Sequence, residues 1–99
     1  MNLIIYGRFK ESKRMSPFNV CKGDFVINKI DATLIPEFQI ENAIKVVEML
    51  NDEYDSCVFE LRKADGNKIG ANEYERFKNV APYETFFYCK WLDRVFKYS

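Results

Sequence analysis

The chain has 99 residues, with fifteen Lys/Arg balanced by fifteen Asp/Glu, 47% hydrophobic and 16% aromatic residues, and no histidine. That size suits one domain around one core, and the composition excludes a disordered or fibrous chain. The missing imidazole excludes Ser-His and Cys-His nucleophiles and removes the commonest transition-metal ligand.

Leu3 to Arg8 is short, β-branched and aromatic, and apolar on both faces, which predicts a central strand. The run is too short to span a bilayer and has no cleavable signal pattern, so no membrane association and a cytoplasmic location are expected. Cys21, Cys57 and Cys89 lie more than thirty residues apart without C-x-x-C spacing, which suits reduced thiols in an intracellular protein. Phe9 to Asp24 is rich in charge, with Pro17 and Gly23, and reads as a long loop or irregular edge ordered by packing of Met15, Phe18 and Val20. Phe25 to Asn28 is a second strand, which Ala32 to Ile35 extends or follows.

Pro36 begins the best helix, which runs to about Asn51. Proline suits a first helical position, and Glu37 in the first turn complements the helix dipole. At 100° per residue Ile40, Ala43, Val46, Val47 and Leu50 share one side, with Glu37, Glu41, Lys45, Glu48 and Asp52 on the other. Cys57 to Arg62 alternates, so Cys57, Phe59 and Leu61 face one way and Val58, Glu60 and Arg62 the other. Strand, helix and strand in this order suggest a βαβ crossover if the two strands lie parallel. Ala64 to Asn67 makes a turn at Asp65-Gly66. Asn72 and Glu75 resemble a capping box opening a short helix to Val80. In the tail, Tyr83 to Ser99, Phe87, Tyr88, Trp91, Val95 and Tyr98 align on a helical face, although Thr85 to Cys89 also has strand propensity. The expected fold is therefore α+β: a small single domain over residues 1–99, its strands packed against an amphipathic helix, with a C-terminal helical aromatic segment.

Charge is sorted along the chain. Residues 1–35 carry six basic and three acidic side chains, 36–60 one and seven, and 61–99 eight and five. This segregation can steer partners although the total charge is zero. The acidic helix face (Glu37, Glu41, Glu48, Asp52), with Ile44 and Met49 at its edges, is a candidate protein-docking surface, the plainer reading being an ordinary solvated face. Phe86, Trp91 and Phe96 in the aromatic tail are candidate interface anchors, although closing the core explains most of that tail equally well. Arg8, Lys10, Lys13, Arg14 and Lys22, interleaved with Tyr6, Phe9 and Phe18, form a candidate nucleic-acid surface, interrupted by Glu11 and Asp24. Glu60 beside Arg62 reads as a surface ion pair rather than an acid/base couple. Gly66 and Gly70 lack the ending of a phosphate-binding loop. No enzymatic activity, cofactor or metal site is expected.

Taken together, Tyr6, Lys13-Arg14-Met15, Phe18, Gly23, Val26-Ile27-Asn28-x-Ile30-x-Ala32 and Phe59-Glu60-Leu61-Arg62 form a loose pattern. It resembles small uncharacterised proteins encoded by bacteriophages and mobile elements, and covers roughly the first sixty-three residues. The resemblance implies an accessory protein that acts by binding host or phage macromolecules, and it supplies no catalytic residues. The expectation is thus a protein-binding module that modulates a host complex. Nucleic-acid binding through the basic loop 8–22 and a structural homodimer are the alternatives.

Overall fold

The computed structural model describes residues 2–78. Its strands are β1 (Asn2–Phe9), β2 (Ser16–Asn19), β3 (Asp24–Phe25), β4 (Ile35–Pro36) and β5 (Cys57–Lys63), and its helices are α1 (Ile40–Glu53) and α2 (Ala71–Lys78). β1 is the central strand. Its residues Leu3 to Gly7 are all buried, because both of its edges and both of its faces are covered. β5 runs antiparallel along one edge, from Leu3 opposite Lys63 to Phe9 opposite Cys57. The other edge is shared: β4 lies beside Asn2 and Leu3, and β2 beside Tyr6 and Gly7, both antiparallel. β3 adds to the far side of β2.

The α+β class is as the sequence indicates, with a different connection between the strands that flank α1. β4 and β5 are both antiparallel to β1 and so parallel to each other, with β1 inserted between them. The crossover through α1 is therefore split rather than joining neighbours. Leu3 and Ile5 point from β1 toward the helix and form the main core with Phe18, Phe59 and the α1 residues Ile40, Val46 and Leu50. Each such aliphatic contributes roughly 1.5–3 kcal/mol by leaving water. Ile4 and Tyr6, on the opposite face, pack against Ala32, Met15, Val26 and Ala64 in a smaller second cluster. The connecting segments thus serve as the second layer.

Several expected boundaries move. The stretch from Phe9 to Asp24 is not a plain loop: it contains β2, with Phe18 and Val20 fully buried. Pairing with β1 turns a segment with weak strand propensity into a strand. The strand expected over Phe25 to Asn28 ends at Phe25, because the Asn28 side chain accepts the Ile30 N–H and caps a 3-10 turn, Lys29–Asp31. Pro36 ends β4, a 3-10 turn follows at Glu37–Gln39, and α1 starts at Ile40. The cap of α2 also shifts, to Gly70 and Glu73, where the Glu73 Oε1 accepts the Gly70 N–H at 3.3 Å. This is the carboxylate half of a capping box. The expected end of that helix at Val80 and the expected helical tail, Tyr83 to Ser99, lie outside the described residues.

The outer edge of β5 is closed by side-chain and turn chemistry. The Asn51 side chain, from α1, accepts the Phe59 N–H at 2.7 Å and donates to the Phe59 carbonyl at 3.1 Å, in the manner of a neighbouring strand. Farther along, the Lys63 N–H donates to the Asn67 carbonyl at 3.0 Å, and Arg62 bridges to Lys68. Replacing Asn51 by Leu leaves both Phe59 backbone groups without partners. A loss of about 1–3 kcal/mol in urea unfolding is expected, and an unchanged midpoint would show that the amide clamp is dispensable.

α2 is held to the sheet through Glu73. Its Oε1 lies 3.1 Å from the Lys63 Nζ, and Arg76 approaches its other oxygen at 3.9 Å. The hydrogen bond from Lys63, then that from Gly70, pull the Glu73 carboxyl below its ordinary value of 4.5. The same holds for Asp65 through the Asn67 N–H. A carboxyl depressed on folding adds stability that is present above its unfolded pKa and is lost as pH falls through the folded one. Glu73→Gln is therefore expected to lower stability at neutral pH and to flatten the acid limb of a stability profile below pH 4.5. An acid limb identical to that of the original chain would overturn this.

Candidate interaction site

The site grows from one close approach. Gly7 of β1 faces Phe59 of β5, and a Cβ on Gly7 would lie 2.6 Å from Phe59 Cδ1 and 3.0 Å from Phe25 Cε1. Only a hydrogen at this position lets the two rings lie over the strand. Phe25 and Phe59 stack nearly parallel, 6.0 Å apart with 4° between their planes. Phe18 meets each edge-on, at 5.2 and 5.0 Å. Phe9 and Tyr54 extend the cluster at 5.5 and 5.9 Å. Such ring pairs add about 0.5–1.5 kcal/mol beyond simple burial.

These rings line a cavity of about 240 Å³ at the end of the sheet, with Cys57 in its wall and Asp24 at its edge. Cys57 is a buried free thiol. Phe9 is 53% exposed, so the cluster reaches the surface on that side. An open recess with aromatic walls suits an apolar side chain. β1 and β5 supply Phe9, Phe59 and Cys57, β2 and β3 supply Phe18 and Phe25, and the residue that ends α1 supplies Tyr54.

The acidic candidates lie along α1 and just before it. Glu41, Glu48 and Asp52 are exposed, with Lys45 exposed among them, while Glu37 is half-buried in the preceding turn. Ile44 and Met49 are half-buried and pack against the main core, so much of their apolar surface serves the fold. Tyr54, which ends this helix, lines the cavity, while none of these acidic side chains does. Phe86, Trp91 and Phe96 lie outside the described residues.

The basic candidates are divided. The Arg8 guanidinium donates to the carbonyls of Phe9, Lys10 and Ser12, at 3.4, 3.1 and 3.1 Å, and closes the turn after β1. Lys10, Lys13 and Arg14 are exposed between β1 and β2, and Lys22 is exposed in the turn beyond β2, at that strand's other end. On the face of the sheet away from α1, Glu60 pairs with Arg62, which also lies over the Tyr6 ring at 5.4 Å. The Tyr6 hydroxyl is buried there without a hydrogen-bond partner. Among the described residues no group of acidic or sulfur side chains is placed to hold a metal ion, and no helix is long and apolar enough to cross a membrane.

The recess was hidden from sequence reading because its five rings come from five separate stretches of chain. The one local sign is Gly7 inside an otherwise apolar strand, since a strand glycine marks close approach of another group. Gly7→Ala is expected to displace Phe59 and cost about 1–3 kcal/mol. Ring-current shifts of the Phe25 and Phe59 protons report the displacement, and an unaltered spectrum would refute it. Comparison with protein-family models, curated proteins and solved structures finds no match.

Proposed function

We propose that this chain is a cytoplasmic protein-binding module that holds a basic segment of its partner along α1 and an apolar side chain of that segment in the aromatic recess. The observation that carries the reading is that Tyr54, which ends the helix bearing the acidic residues, also lines the recess. Glu41, Glu48 and Asp52 span twelve residues, about 16 Å at the α-helical rise, of the helix that ends at Tyr54 in the wall of the cavity. A buried aromatic pocket supplies most of the binding energy of such a contact, while the charges set approach and register. Lys45 within the stripe makes it less suited to imitating nucleic-acid phosphates than to docking a peptide. A small module acting on a larger macromolecule also agrees with the resemblance to phage and mobile-element accessory proteins.

A photo-crosslinking residue at position 9 and another at position 48 test this in an extract of the source cells. Both are expected to trap the same protein. Phe9→Ala should weaken its binding about thirtyfold, equivalent to ~2 kcal/mol. Glu48→Lys should weaken it less, with an effect that fades in high salt. Trapping of different proteins at the two positions would overturn the shared docking surface. Binding to single- or double-stranded nucleic acid that falls steeply with salt and survives Phe9→Ala would favour the basic-loop alternative instead.

A further inference from the structure

The β5 and β3 edges of the sheet are treated differently. Along β5 the Asn51 amide and the Asn67–Lys68 segment occupy the outward backbone groups. Among the described residues β3 has no such cover. Phe18 pairs with Phe25, and the Val26 N–H donates inward to the Pro17 carbonyl at 2.9 Å. Backbone groups alternate in direction along an antiparallel strand, so the Phe25 N–H and C=O point away from the sheet. Ile27, two residues farther along and beyond the end of β3, stands at a bend and is fully exposed. Edge strands are ordinarily blunted by lysine, proline, a bulge or an overlying segment. β3 is short and begins at the charged Asp24, whereas Phe25-Val26-Ile27 holds no charged residue or proline, and its residues are aromatic or β-branched.

Recesses flank this ridge on two sides. One, of about 300 Å³, includes Arg14, Met15 and Pro17, and the other, of about 430 Å³, includes Lys22, Asp24 and Asp31. The four charged residues are all exposed, two basic and two acidic. A two-fold axis sets a patch against itself, so it repels any patch with excess charge of one sign and tolerates a balanced one. This patch is balanced. It differs in that respect from the acidic face of α1, which is suited to a foreign basic partner.

We propose that the β3 edge pairs with the β3 edge of a second copy of this chain, antiparallel about a two-fold axis at Val26. In this register pairing extends the strand past β3 through Val26 and Ile27, and Phe25 of one copy stands opposite Ile27 of the other. The Phe25 N–H donates to the Ile27 carbonyl of the second copy, and the Ile27 N–H of that copy donates to the Phe25 carbonyl. Symmetry repeats both bonds. The sheet continues across the dimer, and each Ile27 packs beside an aromatic ring, a favourable cross-strand pair.

Light scattering on the full chain, from micromolar to near-millimolar concentration, is expected to show a monomer passing to a dimer. Over the same series, amide exchange at Phe25 and Ile27 should slow, while the Val26 amide, already bonded within the chain, stays unchanged. Ile27→Glu should remain monomeric throughout with an unaltered far-ultraviolet circular dichroism spectrum, because the side chain it replaces packs against nothing in the monomer. A monomer at the highest concentration overturns the proposal. So does a dimer that persists in Ile27→Glu, a dimer in which the Phe25 and Ile27 amides exchange as in the monomer, or an open-ended series of larger species. None of these outcomes bears on the recess at Phe9, whose crosslinking is read separately.

Discussion

β1 is the strand on which every other element is placed. With Leu3 to Gly7 buried, its backbone groups need partners on both edges and its side chains need cover on both faces. β5 meets one edge along its whole length, while β2 and β4 divide the other. α1 covers Leu3 and Ile5, and the segment containing Met15, Val26 and Ala32 covers Ile4 and Tyr6. The long irregular connections are therefore part of the core rather than appendages to it. The close approach of Phe59 to Gly7 belongs to the same constraint, since the Phe59 and Phe25 rings occupy the space that a side chain on Gly7 would need.

Polar side chains do much of the work that a larger protein leaves to extra strands and turns. Asn51 substitutes for a neighbouring strand at Phe59, Arg8 closes the turn after β1 by donating to three carbonyls, and Glu73 caps α2 while holding it to Lys63. Each uses a short reach to satisfy backbone groups that a small domain cannot cover with more chain. Among the described residues, the contrast between the closed β5 edge and the uncovered β3 edge is the structural asymmetry with the clearest bearing on association. The Arg8 contacts likewise alter the meaning of a basic residue, because a guanidinium engaged with three carbonyls is less available to phosphate.

The charge pattern acquires a location. What the sequence presents as an acidic block between basic ones becomes exposed acidic residues on α1, the helix whose end lines an aromatic recess, with basic residues split between the two ends of β2. A stripe beside a recess offers a partner both steering and an anchor. Scattered lysines at opposite ends of a strand offer steering only.

Much of this protein was legible in its residues one element at a time. The two-faced apolarity of Leu3 to Arg8 marks a central strand, the helical period of Ile40 to Leu50 marks the face of α1 that is buried, and the alternation from Cys57 marks β5, because each pattern repeats within a few residues of itself. Pairing was not legible. Pro17 hides β2, whose strand character comes from β1 beside it, and the two-residue strands β3 and β4 are too short to show a period. The capping carboxylate is Glu73 rather than Glu75 because the reach of Lys63 and the position of Gly70 select it. The amino-acid sequence by itself determined the α+β class, the buried face of the main helix and the absence of imidazole chemistry, all local or compositional properties. Tertiary structure alone decided that β1 lies between two parallel strands and that Phe25 and Phe59 lie over Gly7 in a cluster of five rings, because contacts between residues far apart in the chain leave no periodic trace in it.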